Sequence, residues 1–141
     1  MSKILNFKTC AFFDLVDFEE DKDYFENEII SLNQELDAHI NNIIVTSYVD
    51  EIENVVPNCD ICFIDFGGLD YGGASQLLDS TIRSFEKLIE ENENKFFVFI
   101  LSMPLEFYLN EDILKNPNVI KTDRCNLKEC IKQILKKFDI G

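Results

Sequence analysis

Asp65 is the side chain of this sequence best placed to do chemistry. It ends the short apolar run of residues 61–64, and Gly67 and Gly68 follow almost at once. A run of this kind, bounded by a turn signal, predicts a strand buried on both faces, as in parallel sheets. Ligands of open α/β sheets sit beyond the carboxyl ends of the strands. We therefore expect Asp65 to face a pocket, where a carboxylate can bind a cation or act as a nucleophile.

Other polar side chains follow other predicted strands. Asp14 and Asp17 come after the first strand, Ser102 follows the fourth strand, and Lys121 ends the fifth. If the first and third strands are neighbours, Asp14, Asp17 and Asp65 share one hollow. Mg²⁺ prefers oxygen ligands and keeps several waters, so two or three carboxylates suffice to hold it. The sequence therefore predicts a possible magnesium site formed by the three aspartates, with Ser102 and Lys121 beside it.

The strands that position these residues alternate with helix-like patterns along the whole chain, which is typical of an α/β layered fold. Apolar and β-branched stretches predict strands within residues 4–13, 43–46, 60–65, 96–101 and 119–121. Right-handed crossovers between parallel strands place helices on both faces of the sheet. We expect a single domain over residues 1–141, with a doubly wound, parallel, five-stranded sheet in the flavodoxin-like order 2-1-3-4-5.

Apolar residues spaced by three and four positions predict the helices. One such stripe predicts a helix over residues 23–39; its members are Phe25, Ile29, Leu32, Leu36 and Ile40. Two further long helices are expected over residues 75–91 and 127–138. Short helices are expected over residues 50–56 and after Asn110, where Pro117 ends the second of them.

Residues 57–73 resemble the third strand and following loop of response-regulator receiver domains. The likeness lies in the apolar run that ends at Asp65 and in the loop of residues 69–73. In that family the aspartate at this strand end accepts a phosphoryl group, and an acid after the first strand helps to hold Mg²⁺. A serine or threonine ends the fourth strand and a lysine ends the fifth. The resemblance implies that Asp65 is the phosphoacceptor, that Asp14 binds the metal, and that Ser102 and Lys121 assist.

The sequence departs from the family pattern at several positions. Asp14 has no acidic neighbour, so the second acid would be Asp17, three residues further on. Thr122 stands where the family normally has proline, and Gly67 and Gly68 replace the usual residues after the aspartate. An active receiver and a degenerate receiver that takes no phosphate both stay open. A third interpretation is that the acids only mark polar strand ends.

Charge is the second strong feature of the chain, whose formal net charge is −14. Residues 1–60 carry 14 acidic and 3 basic side chains, whereas residues 61–141 carry 13 and 10. This balance disfavours direct binding to nucleic acid, because phosphates would be repelled. An acidic surface suits a basic partner, although it also serves as a plain solvated face. Acidic side chains are densest in residues 14–28, which we call the acidic segment. We expect a basic protein surface to bind this segment through Asp17, Glu19, Glu20, Asp21 and Asp23.

Composition bounds the class of protein. A chain of 141 residues that is 46% hydrophobic can bury a substantial core. No run approaches the roughly 18 apolar residues that span a bilayer, and no basic segment followed by an apolar stretch marks a secretory signal. Five cysteines are an odd number in a chain that needs no disulfides, so we expect reduced thiols and a cytoplasmic location.

Three classes of function stay open on these grounds. The first is a small, acidic, non-enzymatic regulatory domain that binds another protein and resembles a receiver, active or degenerate. The second is an acidic inhibitor or polyanion mimic that occludes the basic surface of its partner. The third is a Mg²⁺-dependent phosphotransfer enzyme that uses the same carboxylates. The chain shows no convincing general base or nucleotide motif, which favours a non-enzymatic role.

Overall fold

The computed structural model of the chain describes residues 5–13, 18–36, 38–65, 75–100 and 109–140. Strands and helices alternate along these residues. In chain order they are β1 (Leu5–Phe13), α1 (Phe18–Glu35), β2 (Ala38–Thr46), α2 (Val49–Val55), β3 (Ile61–Asp65), α3 (Ser75–Glu91), β4 (Phe96–Ile100), α4 (Glu111–Leu114), β5 (Val119–Thr122) and α5 (Leu127–Ile140). Short 3₁₀ turns at Val56–Asn58 and Arg124–Asn126 precede β3 and α5.

The five strands form one sheet in the order β2-β1-β3-β4-β5, and every neighbouring pair is parallel. The predicted α/β fold and strand order are therefore confirmed. Because β1 lies between β2 and β3, the carboxyl ends of β1 and β3 are adjacent. Phe13, the last residue of β1, lies opposite Asp65 in the register of the two strands.

Helices cover both faces of the sheet. Residues of α1 and α5 pack on one face, where Phe25 contacts the Phe63 ring edge-on at 4.9 Å between centroids. Residues of α2, α3 and α4 pack on the other face, where Phe12 contacts Phe85 in the same manner at 5.1 Å. All residues of β3 and β4 are buried, which explains why both strands are continuous apolar runs. Each buried phenylalanine contributes about 1.5–3 kcal/mol of transfer free energy.

The boundaries predicted for the first helix and the second strand are wrong. The helix begins at Phe18 rather than at residue 23, and it ends at Glu35, while β2 already begins at Ala38. Ile40 is buried as part of a strand, although its spacing from Leu36 continues the helical stripe. Pairing with β1 decides the conformation here, since local spacing alone fits either element. His39 is exposed within the same strand.

The remaining elements follow the sequence closely. The long helix after β3 spans Ser75–Glu91, and α5 begins at Leu127 as expected. Asn110 caps α4, because its side-chain Oδ1 accepts a hydrogen bond of 2.9 Å from the Ile113 amide. None of the helices in the described ranges is both long and apolar enough to span a membrane.

Candidate functional site at the carboxyl ends of the strands

Asp65 is the last residue of β3 and is only 3% exposed. Ile61 and Phe63 pack on the sheet face that α1 and α5 cover. Because side chains alternate along a strand, Asp65 is directed to that same face. A buried carboxylate is costly unless a cation or hydrogen-bond donors surround it. The surroundings of Asp65 therefore decide what this position can do.

Arg124 supplies the positive charge. Its Nη2 atom lies 3.2 Å from Oδ2 of Asp65 and 2.6 Å from Oδ1 of Asp21. One guanidinium nitrogen thus bridges two buried carboxylates, one from β3 and one from α1. Burial of the guanidinium on its own would lower the pKa of Arg124, but the carboxylates of Asp65 and Asp21 raise that pKa overall. We call Asp21, Asp65 and Arg124 the bridged ion triad.

The turn that carries Arg124 is held by neighbouring side chains. Asp123 caps it, since its Oδ1 accepts a hydrogen bond of 3.0 Å from the Asn126 amide. The Tyr24 hydroxyl of α1 donates a hydrogen bond to the Arg124 carbonyl oxygen. The Tyr24 ring also lies 6.0 Å from the centre of the Arg124 guanidinium, within cation–π range. Burial, followed by the charge of Glu28, raises the pKa of Tyr24.

Asp21 owes its place to helical periodicity. It precedes Phe25 by four residues, so both side chains lie on the buried stripe of α1. Glu19, Glu20 and Asp23 project from other sides of the helix and are exposed. The sequence analysis predicts that Asp21 binds a partner together with these exposed acids. The structure separates it from them, because its side chain is buried against Arg124.

The other predicted site residues have different outcomes. Asp14, Asp17 and Ser102 lie outside the described residues, so their roles stay predictions. Lys121 is exposed in β5. Val119, two residues earlier, packs on the face covered by α2 and α3, so alternation directs Lys121 to that face and Asp65 to the opposite one.

Of the three aspartates predicted to bind magnesium, only Asp65 lies among the described residues, and it is ion-paired with Arg124. The two buried carboxylates at this edge, Asp21 and Asp65, already share the Arg124 guanidinium. Across the residues whose placement is described, no three His, Cys, Asp or Glu side chains are grouped so as to hold a metal ion. Because Asp14 and Asp17 lie outside the described residues, the magnesium site stays a prediction.

The cysteine pair Cys59 and Cys62 belongs to the core. Both residues are buried, and Cys62 lies opposite Cys10 in the register of β1 and β3. A hydrogen bond to Cys10, together with burial, raises the pKa of the Cys59 thiol. A thiol of raised pKa in apolar surroundings is unreactive, which favours a packing role for Cys59, and Cys62 is buried in the core of the sheet.

Sequence reasoning missed Arg124 altogether. A signal was present, because Asp123 and Asn126 have the spacing of a helix cap just after a predicted strand. That signal places Arg124 at the carboxyl edge of the sheet, beside the predicted position of Asp65. The partner carboxylate on α1 could be inferred from the four-residue spacing between Asp21 and Phe25.

Comparisons with known proteins bear on the fold. No protein-family model matches the chain, and no curated protein matches its sequence. A crystal structure described as a "putative lipoprotein from Peptoclostridium difficile 630 (fragment)" is similar in fold, with a TM-score of 0.55 and 10% identity. The match covers 97% of this chain and 99% of that one. At this identity the chain and that protein share an α/β architecture, and the likeness extends to the fold alone.

Proposed function

We propose that this chain is a non-enzymatic regulatory domain that binds a basic surface of another protein through the exposed acids of α1. One observation carries the proposal: the first turns of α1 divide their acids between two roles. Asp21 is directed inward and bound to Arg124, while Glu19, Glu20 and Asp23 remain exposed. Acids that the fold does not use are available to a partner.

The charge around these acids supports a basic partner. Helix α1 carries seven acidic side chains and one lysine, Lys22. Helix α2 adds the exposed acids Asp50, Glu51 and Glu53 and has no basic residue. Like charges gathered on one side of a protein raise the local potential and speed the approach of an oppositely charged surface. A partner that occludes or is occluded by this surface also fits the inhibitor or polyanion-mimic hypothesis.

The bridged ion triad supports a degenerate receiver rather than an active one. Arg124 holds Oδ2 of Asp65 at 3.2 Å, and a phosphoryl group on that carboxylate would have to displace the guanidinium. The second candidate, a Mg²⁺-dependent phosphoacceptor or phosphotransfer site, draws support from the position of Asp65 beside the end of β1. In that alternative Asp14, Asp17 and Asp65 bind the metal, with Ser102 and Lys121 beside them.

The proposal is tested by capturing the partner with matched charge variants. The protein is immobilised and exposed to a lysate of its source cells at low ionic strength. The triple variant E19Q/E20Q/D23N is compared with E90Q/E91Q/D112N, which removes three exposed acids from α3 and α4. We expect capture that weakens with salt, is lost in the first variant and persists in the second. Equal capture by both variants would overturn the proposal.

A further inference from the structure

The two edges of the sheet differ in how well they are protected. At one edge, β5 is four residues long and carries the exposed Lys121. At the other, β2 is nine residues long, and residues 38–46 include no Asp, Glu, Lys, Arg or Pro. Short length, charge and proline are three of the means by which edge strands avoid pairing with another chain. β2 has none of these three protections.

A side chain already imitates a neighbouring strand at one point of the β2 edge. The Asn33 carboxamide accepts a hydrogen bond of 2.8 Å from the Ile40 amide and donates one of 3.2 Å to the Ile40 carbonyl. In a parallel pair each residue directs its N–H and C=O to the same side, and successive residues alternate. The backbone N–H and C=O of Ile40 therefore point to the outer edge of the sheet, and those of Asn42 point the same way. The Asn33 amide stands where the peptide group of an added strand would lie.

Beyond Ile40, the residues that the structure describes place no further strand along the outer edge of β2. None of the backbone hydrogen bonds formed outside regular elements in the described ranges involves residues 41–46. The register with β1 shifts here, because Thr9 lies opposite Asn42 and Cys10 opposite Ile44. Ile43 is left over by this shift, and it is 43% exposed. Within the described part of the chain, residues 42–46 thus combine backbone groups that have no partner on the outer side with an exposed apolar side chain.

Charge decides which occupant suits this edge. Helices α1 and α2 pack against β2 from opposite faces of the sheet. Both helices carry exposed acids, among them Glu26 on α1 and Asp50 and Glu53 on α2. An added strand directs its side chains alternately to the two faces, so basic residues on it would meet acids on either side. A second copy of this chain would bring the same acids together and be repelled.

We propose that residues 42–46 of β2 accept an extended, basic segment of a partner protein as an additional strand of the sheet. Main-chain hydrogen bonds supply the affinity in this mode of recognition, and the flanking side chains supply the specificity. This inference rests on the proposed function, because it gives the basic partner an extended form and a place on the molecule.

The test uses the full chain and two synthetic peptides as long as β2. One alternates lysine and threonine, and the other has glutamate in place of lysine. Amide hydrogen exchange is measured residue by residue. We expect exchange at the Asn42 amide to slow by about tenfold when the lysine peptide exceeds its Kd by about tenfold. The glutamate peptide should leave the rate unchanged.

Two matched variants locate the effect. Ile43→Lys adds a charge at the edge, whereas Ile30→Lys adds the same charge at the exposed Ile30 of α1. The first should abolish protection and the second should retain most of it. Absence of protection by the lysine peptide would overturn the inference, as would equal protection by the glutamate peptide, or protection that rises with protein concentration alone.

The outcomes also separate this inference from the proposed function. If E19Q/E20Q/D23N loses the captured partner while Ile43→Lys keeps it, the acidic surface binds the partner and strand addition is wrong. If E19Q/E20Q/D23N keeps the partner, the proposed function is wrong. Loss in both variants, with protection of Asn42 by the lysine peptide, supports both.

Discussion

Asp21 and Asp23 stand two residues apart at the start of α1, yet they belong to different parts of the molecule. Asp21 is 6% exposed and lies 2.6 Å from the Arg124 guanidinium, while Asp23 is exposed. Two positions along a helix turn the side chain to nearly the opposite side. The acidic segment is therefore two features that share one stretch of sequence: an internal ion pair and a charged surface.

Removing the cation should have the largest effect on this contrast. Arg124→Met keeps an apolar stem of similar length but removes the guanidinium that lies against the buried carboxylates of Asp21 and Asp65. We expect a loss of about 3 kcal/mol in the free energy of unfolding, at the low end for buried pairs because the Arg124 side chain is 49% exposed. Urea unfolding measures it. Arg83→Met, at an exposed position of α3, is the control and should change stability by less than about 0.5 kcal/mol. Similar losses in both variants would contradict the account.

Neutralising the two aspartates one at a time tests the contrast directly. Asp21→Asn removes one of the two carboxylates that bind Arg124 and should cost about 1–2 kcal/mol, as for a charged hydrogen bond. Asp23→Asn should change the free energy of unfolding by less than about 0.5 kcal/mol. The same urea unfolding measurement decides both. A larger effect at Asp23 would reverse the assignment of inner and outer acids.

The Tyr24 hydroxyl reports on the same region through pH. Burial and Glu28 raise the pKa of Tyr24 above the usual value of 10.0, so the folded state favours the neutral phenol. A raised pKa means that this contribution to stability is present below the ordinary tyrosine pKa and is lost as pH rises through the folded value. Ultraviolet absorbance should show a late phase of tyrosine ionisation that belongs to Tyr24. Tyr24→Phe should remove that late phase, and its persistence in the variant would contradict the assignment.

The smallest effect on stability is expected at the surface. The triple variant E19Q/E20Q/D23N removes three exposed acids from a chain of net charge −14, so repulsion falls while no buried contact is lost. We expect its free energy of unfolding to stay within about 0.5 kcal/mol of the parent, even though partner capture is lost. A large loss of stability would mean that these acids support the fold instead.

The fold could be predicted because each buried strand is a short apolar run that is recognisable from its own residues. Phe63 and Ile64 in β3 and the run of Phe96–Ile100 are apolar on both faces, and helices of the expected spacing separate them. The boundary between α1 and β2 could not, because Leu36 and Ile40 keep a helical spacing across a change of element. There the pairing of β2 with β1 outweighs local spacing.

The site could be predicted in part for a related reason. Asp65 is marked by its position at a strand end, which a single segment reveals. Its ion-pair partner Arg124 lies 59 residues further along the chain, and only the folded sheet brings the two together. The sequence predicts Lys121, at the end of the fifth strand, beside Asp65. Strand alternation directs the Lys121 side chain to the opposite face of the sheet.

Arg124 lies against the carboxylates of Asp21 and Asp65, and we propose that this guanidinium, rather than a metal ion, neutralises them. The most direct test follows the Tm of the purified protein while Mg²⁺ is raised to millimolar concentration at constant ionic strength, with backbone amide shifts recorded in parallel. We expect the Tm and the amide shift of Asp65 to stay unchanged as Mg²⁺ is raised. A Tm that rises with Mg²⁺ together with a moving Asp65 resonance would contradict it and favour the metal-dependent phosphoacceptor.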